Sequence, residues 1–315
     1  MVAIDISFVI PCYCSEKNLE FVVQEIRTAM GERPAFQYEI VLVNDHSRDG
    51  TLQLIDRLAA EDSRIVGIHF SKNFGQPAAL MAGFRAARGA YIMTSDDDGQ
   101  TPVGMVWDFY DKMQEGYDVV SAKYLTRPQK SLIRKMGTRV NELMLQGLLQ
   151  KPKDMMLASF FMARRGVIEE MTQYEGPYPY IAGLILRSSG NIANLEMVQR
   201  ERKNGQSGYS FSKLLKLWAN GFTAFSIKPL RLAAILGGVS AVAGVILMLI
   251  MLVRKLVIPA VVVGLHVQTG VILLIAGLIL AAIGLTGEYI GRIYMCINRE
   301  PQYIIAYQTQ EKRDD

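Results

Sequence analysis

Three consecutive carboxylates stand in the stretch SDDDGQTP, residues 95–102, directly after the apolar run AYIMT at 90–94. Neighbouring acids repel one another, so the cluster needs a reason. A solvated acidic loop is the ordinary account of an isolated DxD pair. A divalent cation gives a chemical account. Asp96 and Asp98 supply hard oxygen ligands two positions apart, and magnesium shares such carboxylates with substrate phosphates. A diphosphate beside bare acids is repelled, whereas a cation between them holds it and steadies the charge on it as it departs. These residues therefore point to a nucleotide diphosphate as ligand.

The elements that must position the acids can be read from the apolar pattern. Strands are expected at 6–10 (ISFVI, ending at Pro11), 38–43 (YEIVLV, running into Asn44-Asp45), 65–70 (IVGIHF), 90–94 and 117–122 (YDVVSA). Helices are expected between them, at about 17–30, 50–60, 76–88 and 102–114. The second brings Leu52, Leu54, Ile55 and Leu58 near one face, and the third has Pro77 in its first turn, where the missing N–H is harmless. This alternation predicts an α/β fold, a mostly parallel sheet with helices on both faces, whose ligands bind beyond the carboxyl ends of the strands. The polar clusters at 13–16, 44–45, 71–73 and 95–100 sit at those ends and are expected to converge on one rim. Neither GxGxxG nor GxxxxGK[ST] occurs, so a dinucleotide fold or P-loop is unsupported.

The chain has 315 residues, half of them apolar, and a formal net charge of +4, too mild to argue for nucleic acid. Cys12, Cys14 and Cys296 have no metal-binding or disulfide spacing and read as packing residues in a reducing compartment. The N-terminus has no basic region or cleavage site, so no signal peptide is expected. Residues 232–253 carry no charge and include twelve Leu, Ile or Val. A helix of that length spans roughly 33 Å, and at about −0.4 kcal/mol per residue those side chains favour insertion by roughly 5 kcal/mol. Residues 269–287 are a second uncharged run, and the apolar stretch around Pro259 reads as the turn between two membrane spans. Lys228, Arg231, Arg292 and Arg299 flank the pair, outweigh Arg254 and Lys255 in the turn, and predict both ends on the cytoplasmic side. Two further stretches, 130–149 and 211–225, have apolar stripes with interleaved basic residues, suited either to core packing or to an anionic lipid surface.

At this point several motifs together resemble a known family. VIPCYCSEKNLE is similar to VPVYNEEEN, VLVNDHSRDGT to VDDGSSDGT, and SKNFGQPAALMAGFRAARGAYIMTSDDDGQTP to NRNYGQxxAxxAGxxxAxGDxIxxxDADLQxPP. RERKNGQSGYS resembles RxxGESKYS, while KPLRLAAILG and GLTGEYIGRIYMCINREPQY resemble PLR…G and GEYxGRIYxExxxRPxY. Each motif is weak alone, but together they span nearly the whole chain. They resemble the family-2 glycosyltransferases of GT-A (Rossmann-like) fold, in particular the polyprenyl-phosphate glycosyltransferases. That group includes dolichyl-phosphate mannose synthase and bacterial undecaprenyl-phosphate sugar transferases.

The resemblance implies a metal-dependent, inverting transfer of a sugar from a nucleotide diphosphate donor, UDP before GDP, to a membrane polyprenyl phosphate. Pro11, Tyr13, Glu16, Asp45 and Asp96 would hold the nucleotide. Asp96, Asp98 and Gln100 would bind Mg2+ or Mn2+ and the diphosphate, leaving Asp97 an incidental middle acid. Arg202 and Ser207 would lie in a segment closing over the donor. Lys123, Arg127 and Arg134, with Ser207, would meet the acceptor phosphate. It also implies a homo-oligomer, up to a tetramer, in the inner (cytoplasmic) membrane. Expected divisions are a cytoplasmic catalytic domain at 1–210, a juxtamembrane amphipathic helix at 211–231, a two-helix transmembrane hairpin at 232–290 and a cytoplasmic tail at 291–315. The chain departs from the family pattern at Cys14-Ser15 (Asn-Glu), at Asn44 and His46 in the DDG, at Gly99 and at Gln206 and Gly208. The glutamate of RIYxE is also replaced, by Cys296 or a neighbour.

The chemistry stands apart from the family. A phosphate monoester with a second pKa of about 6 is already a nucleophile at neutral pH and needs no strong base. The protein must only bring two anions together, and an acceptor confined to the membrane surface raises their effective concentration. Two rivals compete with this reading: a polysaccharide synthase, which would need more spans and a QxxRW motif, and a non-catalytic membrane scaffold of the same fold. His46 and His69 read as strand-end or core histidines, His266 as interfacial, Trp107 and Trp218 as packing, and Glu288 as a partner for Arg292 one turn on.

Overall fold

The computed structural model describes residues 3–125, 155–198, 200, 228–257, 265–298 and 300–309. They group into two units, Met1–Leu217 with Arg299–Asp315, and Trp218–Asn298.

The first unit is built on one mixed eight-stranded sheet. Its strands are β1 (Ile6–Cys12), β2 (Tyr38–Asn44), β3 (Ile65–Phe70), β4 (Tyr91–Thr94), β5 (Val119–Tyr124), β6 (Phe161–Arg164), β7 (Ile192–Met197) and β8 (Ile305–Gln308). Their spatial order is β7-β5-β6-β4-β1-β2-β3-β8. Strands β4, β1, β2 and β3 are mutually parallel, as are β5 and β7. The sequence pattern anticipates these first five strands to within a few residues. It misses β6, which runs antiparallel between β4 and β5, and β8, which runs antiparallel along β3. The segment expected as a tail thus contributes an edge strand to the sheet.

Every residue of β1, β2 and β3 is buried, which is why they read as near-continuous apolar runs. Helix α1 (Leu19–Gly31) covers the sheet with Leu19, Val22, Val23 and Ile26, spaced to share one face. Helices α2 (Thr51–Glu61), α3 (Gln76–Ala86) and α4 (Val106–Gln114) link the next strands, with a short 3-10 turn (Val103–Met105) leading into α4. Trp107 is buried and donates its indole N–H to the Ala29 carbonyl at 2.8 Å, a packing role. Helix α5 (Arg165–Thr172) continues directly from β6, and α6 (Ile181–Ser188) precedes β7.

Pro11 sits inside β1, a central strand, yet breaks no ladder. The pairing of β1 with β4 ends at Val9–Thr94, so Pro11 lies past the point where an N–H would be needed on that side.

The second unit holds α7 (Lys228–Val257) and α8 (Leu265–Ile297), which pack on each other. Within α8, Leu274–Gly291 has a mean hydropathy of 1.8 and no buried residue. Among the described residues it is the one helix long and apolar enough to cross a membrane by length and composition. The 30-residue α7 has a shorter apolar stretch, Ile235–Gly244, and exposes Ile235, Leu236, Val239, Val242, Ile246 and Leu249. Glu288 and Arg292 lie one turn apart on α8.

Candidate active site

The carboxyl ends of β1, β2 and β4 and the loop after β3 are tied together by side chains. Asp45, just beyond β2, is buried. One of its carboxylate oxygens accepts the Phe74 N–H at 2.6 Å and the other the Gly75 N–H at 2.8 Å, while its carbonyl accepts from the Asn73 amide. Burial raises the Asp45 pKa, opposed by those two N–H donors. Gly75 holds a φ of +92°, a conformation few side chains tolerate, so the loop into α3 needs glycine there. Asp45 thus shapes the rim by bracing this loop.

The next residue, Gln76, opens α3 and donates from Nε2 to Asp96 Oδ1 at 3.1 Å. Ser159 Oγ donates to the other oxygen of Asp96 at 2.8 Å. Thr94, the last residue of β4, locks Ser159 in place by donating to its carbonyl at 2.5 Å. Burial pushes the Asp96 pKa up to about 6, with Asp98 and Asp97 adding to the rise and the Ser159 and Gln76 donors opposing it. Asp97 is not incidental. It accepts the Tyr13 N–H at 3.0 Å and a short hydrogen bond from Ser15 Oγ, so it ties the β4 loop to the β1 loop. Burial raises its pKa as well. Asp98 accepts the Gln100 N–H at 3.0 Å through Oδ1, closing a tight turn in which Gly99 has φ +71°.

Tyr13 is 48% exposed beside this acid loop. Glu16 accepts the Gly50 N–H at 3.1 Å, at the amino end of α2, where a carboxylate offsets the helix dipole. Lys123, near the end of β5, forms an ion pair with Glu196 across the β5–β7 ladder at 2.8 Å. Arg127, Arg134, Arg202 and Ser207 lie outside the described residues, as do Trp218 and both basic amphipathic stretches. The segment leading to Arg202 does start at the rim: Arg200 donates its N–H to the Gln100 carbonyl at 3.2 Å and pairs with Glu25 at 2.9 Å.

The structure therefore brings together Pro11, Tyr13, Glu16, Asp45, Asp96, Asp98 and Gln100 around one rim. It adds Gln76, Ser159, Ser15 and Asp97. Gln76 was readable as a helix start but not as a partner of Asp96. Ser159 follows a 60-residue separation from the acids and carries no local signal.

Among the described residues no three His, Cys, Asp or Glu side chains form a preassembled metal cage. A divalent ion still fits the chemistry of the acid loop. The donors are all hard oxygens, and burial, with the neighbouring acids Asp98 and Asp97 adding to it, raises the Asp96 pKa, a rise that a bound cation would offset. One or two carboxylates completed by phosphate oxygens is the arrangement Mg2+ favours.

Comparison with known proteins adds four findings. Residues 7–172 match the family model Glycosyl transferase family 2. The chain is 31% identical to the uncharacterized glycosyltransferase YkcC of Bacillus subtilis (strain 168), over 98% of this chain and 96% of that one. It is 33% identical to an undecaprenyl-phosphate 4-deoxy-4-formamido-L-arabinose transferase of Proteus mirabilis (strain HI4320), over 95% of this chain and 92% of the relative. Among solved structures, glucosyl-3-phosphoglycerate synthase from Mycobacterium tuberculosis, in complex with Mg2+ and UDP, superposes with a TM-score of 0.51 at 17% identity, covering 70% of this chain and 79% of that one. The first unit thus has a GT-A-like α/β fold.

Proposed function

We propose that this chain, which belongs to glycosyl transferase family 2 and is a glycosyltransferase, moves a sugar from a nucleotide diphosphate to a polyprenyl phosphate at a membrane surface. The observation that carries this reading is the acid loop at the end of β4, in a chain that continues into two long apolar helices. The likeness to the Proteus mirabilis transferase, whose name gives undecaprenyl phosphate as its substrate, runs through those helices as well as the catalytic unit.

In this reading the donor diphosphate lies against Asp96, Asp98 and Gln100, with Tyr13 against the base. A bound Mg2+ or Mn2+ would offset the charge of the diphosphate as it leaves. The protein's own contribution is placement. Gln76 and Ser159 hold Asp96 in one rotamer. Asp97 and Ser15 fix the β1 loop that carries Tyr13. The acceptor phosphate oxygen bonds to the anomeric carbon as the bond from that carbon to the diphosphate oxygen breaks. The electron pair goes to the diphosphate, no proton has to be removed from a phosphate dianion, and the anomeric centre inverts.

In this reading the apolar helices attach the chain to the membrane, and chain topology constrains how. The residues before α7 and those after α8 belong to the same folded unit, so a chain that enters the bilayer between them crosses it an even number of times. With α8 crossing once, α7 is its counterpart. At about 1.5 Å per residue its 30 residues extend roughly 45 Å, more than a bilayer core requires. Lys228 and Arg231 at the start of α7 and Arg292 near the end of α8 favour the cytoplasmic face for the catalytic unit, and the exposed apolar side chains of both helices leave room for self-association.

A thermal-shift screen tests the donor half. UDP should stabilise the purified protein with Mn2+ and much less with EDTA, and GDP serves as the comparison. Vesicles containing undecaprenyl phosphate and a labelled nucleotide sugar test the acceptor half. Undiminished lipid labelling in EDTA would remove the metal. Nucleotide binding without any lipid product would favour the scaffold reading instead.

A further inference from the structure

The strand that follows the second long helix reaches the rim through a chain of side chains. Tyr307 of β8 stacks on His69 of β3, with ring centroids 4.4 Å apart and planes 17° from parallel. Its hydroxyl donates to Asp56 Oδ2 on α2 at 2.7 Å, a contact between residues 251 apart in the chain. His69 is buried, and its Nε2 lies 3.1 Å from Asp56 Oδ1, close but poorly aligned for a hydrogen bond. Its Nδ1 is 3.2 Å from Asn44 Nδ2.

The direction of each bond follows from chemistry. Asn44 Oδ1 accepts the Ser47 N–H at 3.0 Å, which fixes how the amide points. Asn44 Nδ2 can then only donate, so His69 Nδ1 accepts and the ring carries its hydrogen on Nε2, facing Asp56. A carboxylate at position 44 could not donate to that nitrogen. Ser47 Oγ in turn accepts the Cys14 N–H at 3.0 Å, and Cys14 adjoins Tyr13, whose N–H meets Asp97. The path from β8 to the acid loop is unbroken.

We propose that Tyr307 is a positioning residue for the nucleotide loops. Through His69 and Asn44 it sets the conformation of residues 44–47 and 13–15, and so the affinity for a nucleotide diphosphate. The affinity part rests on the function proposed above. The residues on either side of β8 have independent anchors: Tyr303 stacks on Phe70 at 5.1 Å, Gln302 donates to the Tyr174 and Gly176 carbonyls, and Thr309 Oγ accepts the Gly67 N–H. Trimming Tyr307 therefore leaves β8 attached.

The test uses the full chain in nanodiscs, comparing Tyr307→Leu with Thr309→Val, which weakens the same strand without touching His69. Hydrogen exchange is measured on the ligand-free protein, affinity is measured for UDP with Mn2+, and the His69 ring is followed by its 15N shifts. Tyr307→Leu should speed exchange at 44–47 and 13–15, alter the His69 shifts and weaken UDP binding about tenfold. Thr309→Val should do none of these. Faster exchange confined to 303–309, or equal effects from both variants, overturns the proposal. Should Tyr307→Leu not accumulate, Tyr307→Phe carries the test: a shift at His69 with faster exchange at 44–47 supports it, and no change at either overturns it. If the wild type binds no nucleoside diphosphate, the functional reading falls while exchange and the 15N shifts still decide the coupling.

Discussion

Cys14 and His46 both hold left-handed backbone angles, φ 56° and 55°. The motifs that this chain resembles carry Asn and Gly at these places, residues that adopt such angles readily. The rim is thus built on two strained positions. Replacing His46 by Gly should relieve roughly 1 kcal/mol of strain, part of it offset by the freer unfolded chain. The melting temperature should rise by about 2 °C in calorimetry; a fall would mean the imidazole makes a compensating contact. Asp98→Ala is expected to cut transfer at least a hundredfold while leaving the fold and membrane insertion intact. It should also abolish the stabilisation by UDP with Mn2+, and normal turnover by this variant would eliminate the metal-binding role of Asp98. The acids were legible in the sequence because they are contiguous. Their individual duties were not, since the role of Asp97 depends on Ser15 and Tyr13, more than 80 residues away.

Between α2 and β3 the turn is held by charge. Asp62 accepts from Arg64 and Arg27, and these guanidinium groups, Arg64 foremost, bring its pKa down to about 2. The ordinary value is 3.8, so the stability this pairing supplies is complete above pH 3.8 and disappears as pH falls through about 2. Both arginines are partly exposed, which limits the contribution to roughly 1–2 kcal/mol. Asp62→Asn should lose that amount at pH 7 and unfold with a shallower acid dependence below pH 4, as followed by circular dichroism. Strand legibility divides along similar lines. β1, β2 and β3 announce themselves because burial on both faces demands unbroken apolar runs. β6 and β8 have four residues each, and only distant partners make them strands. Between β4 and β5 stands the antiparallel β6, whose place in the sheet no local pattern marks.

For the molecule as a whole, the proposed even-numbered crossing makes a topological prediction. A cysteine introduced at Val261, between α7 and α8, should react with a membrane-impermeant maleimide in intact cells. The exposed native Cys14 should react only after the membrane is opened, and the reverse order would invert the arrangement. Hydropathy marks where the chain enters α7, but an exposed four-residue strand does not advertise that the chain returns to the sheet. That return imposes an order on biosynthesis. A ribosome releases β3 hundreds of residues before β8 exists, so the growing sheet carries an open, hydrogen-bonding margin until α7 and α8 have both been made. Nascent chains stalled or cut between α7 and α8 should consequently aggregate through that margin, and only a completed translation product seals it.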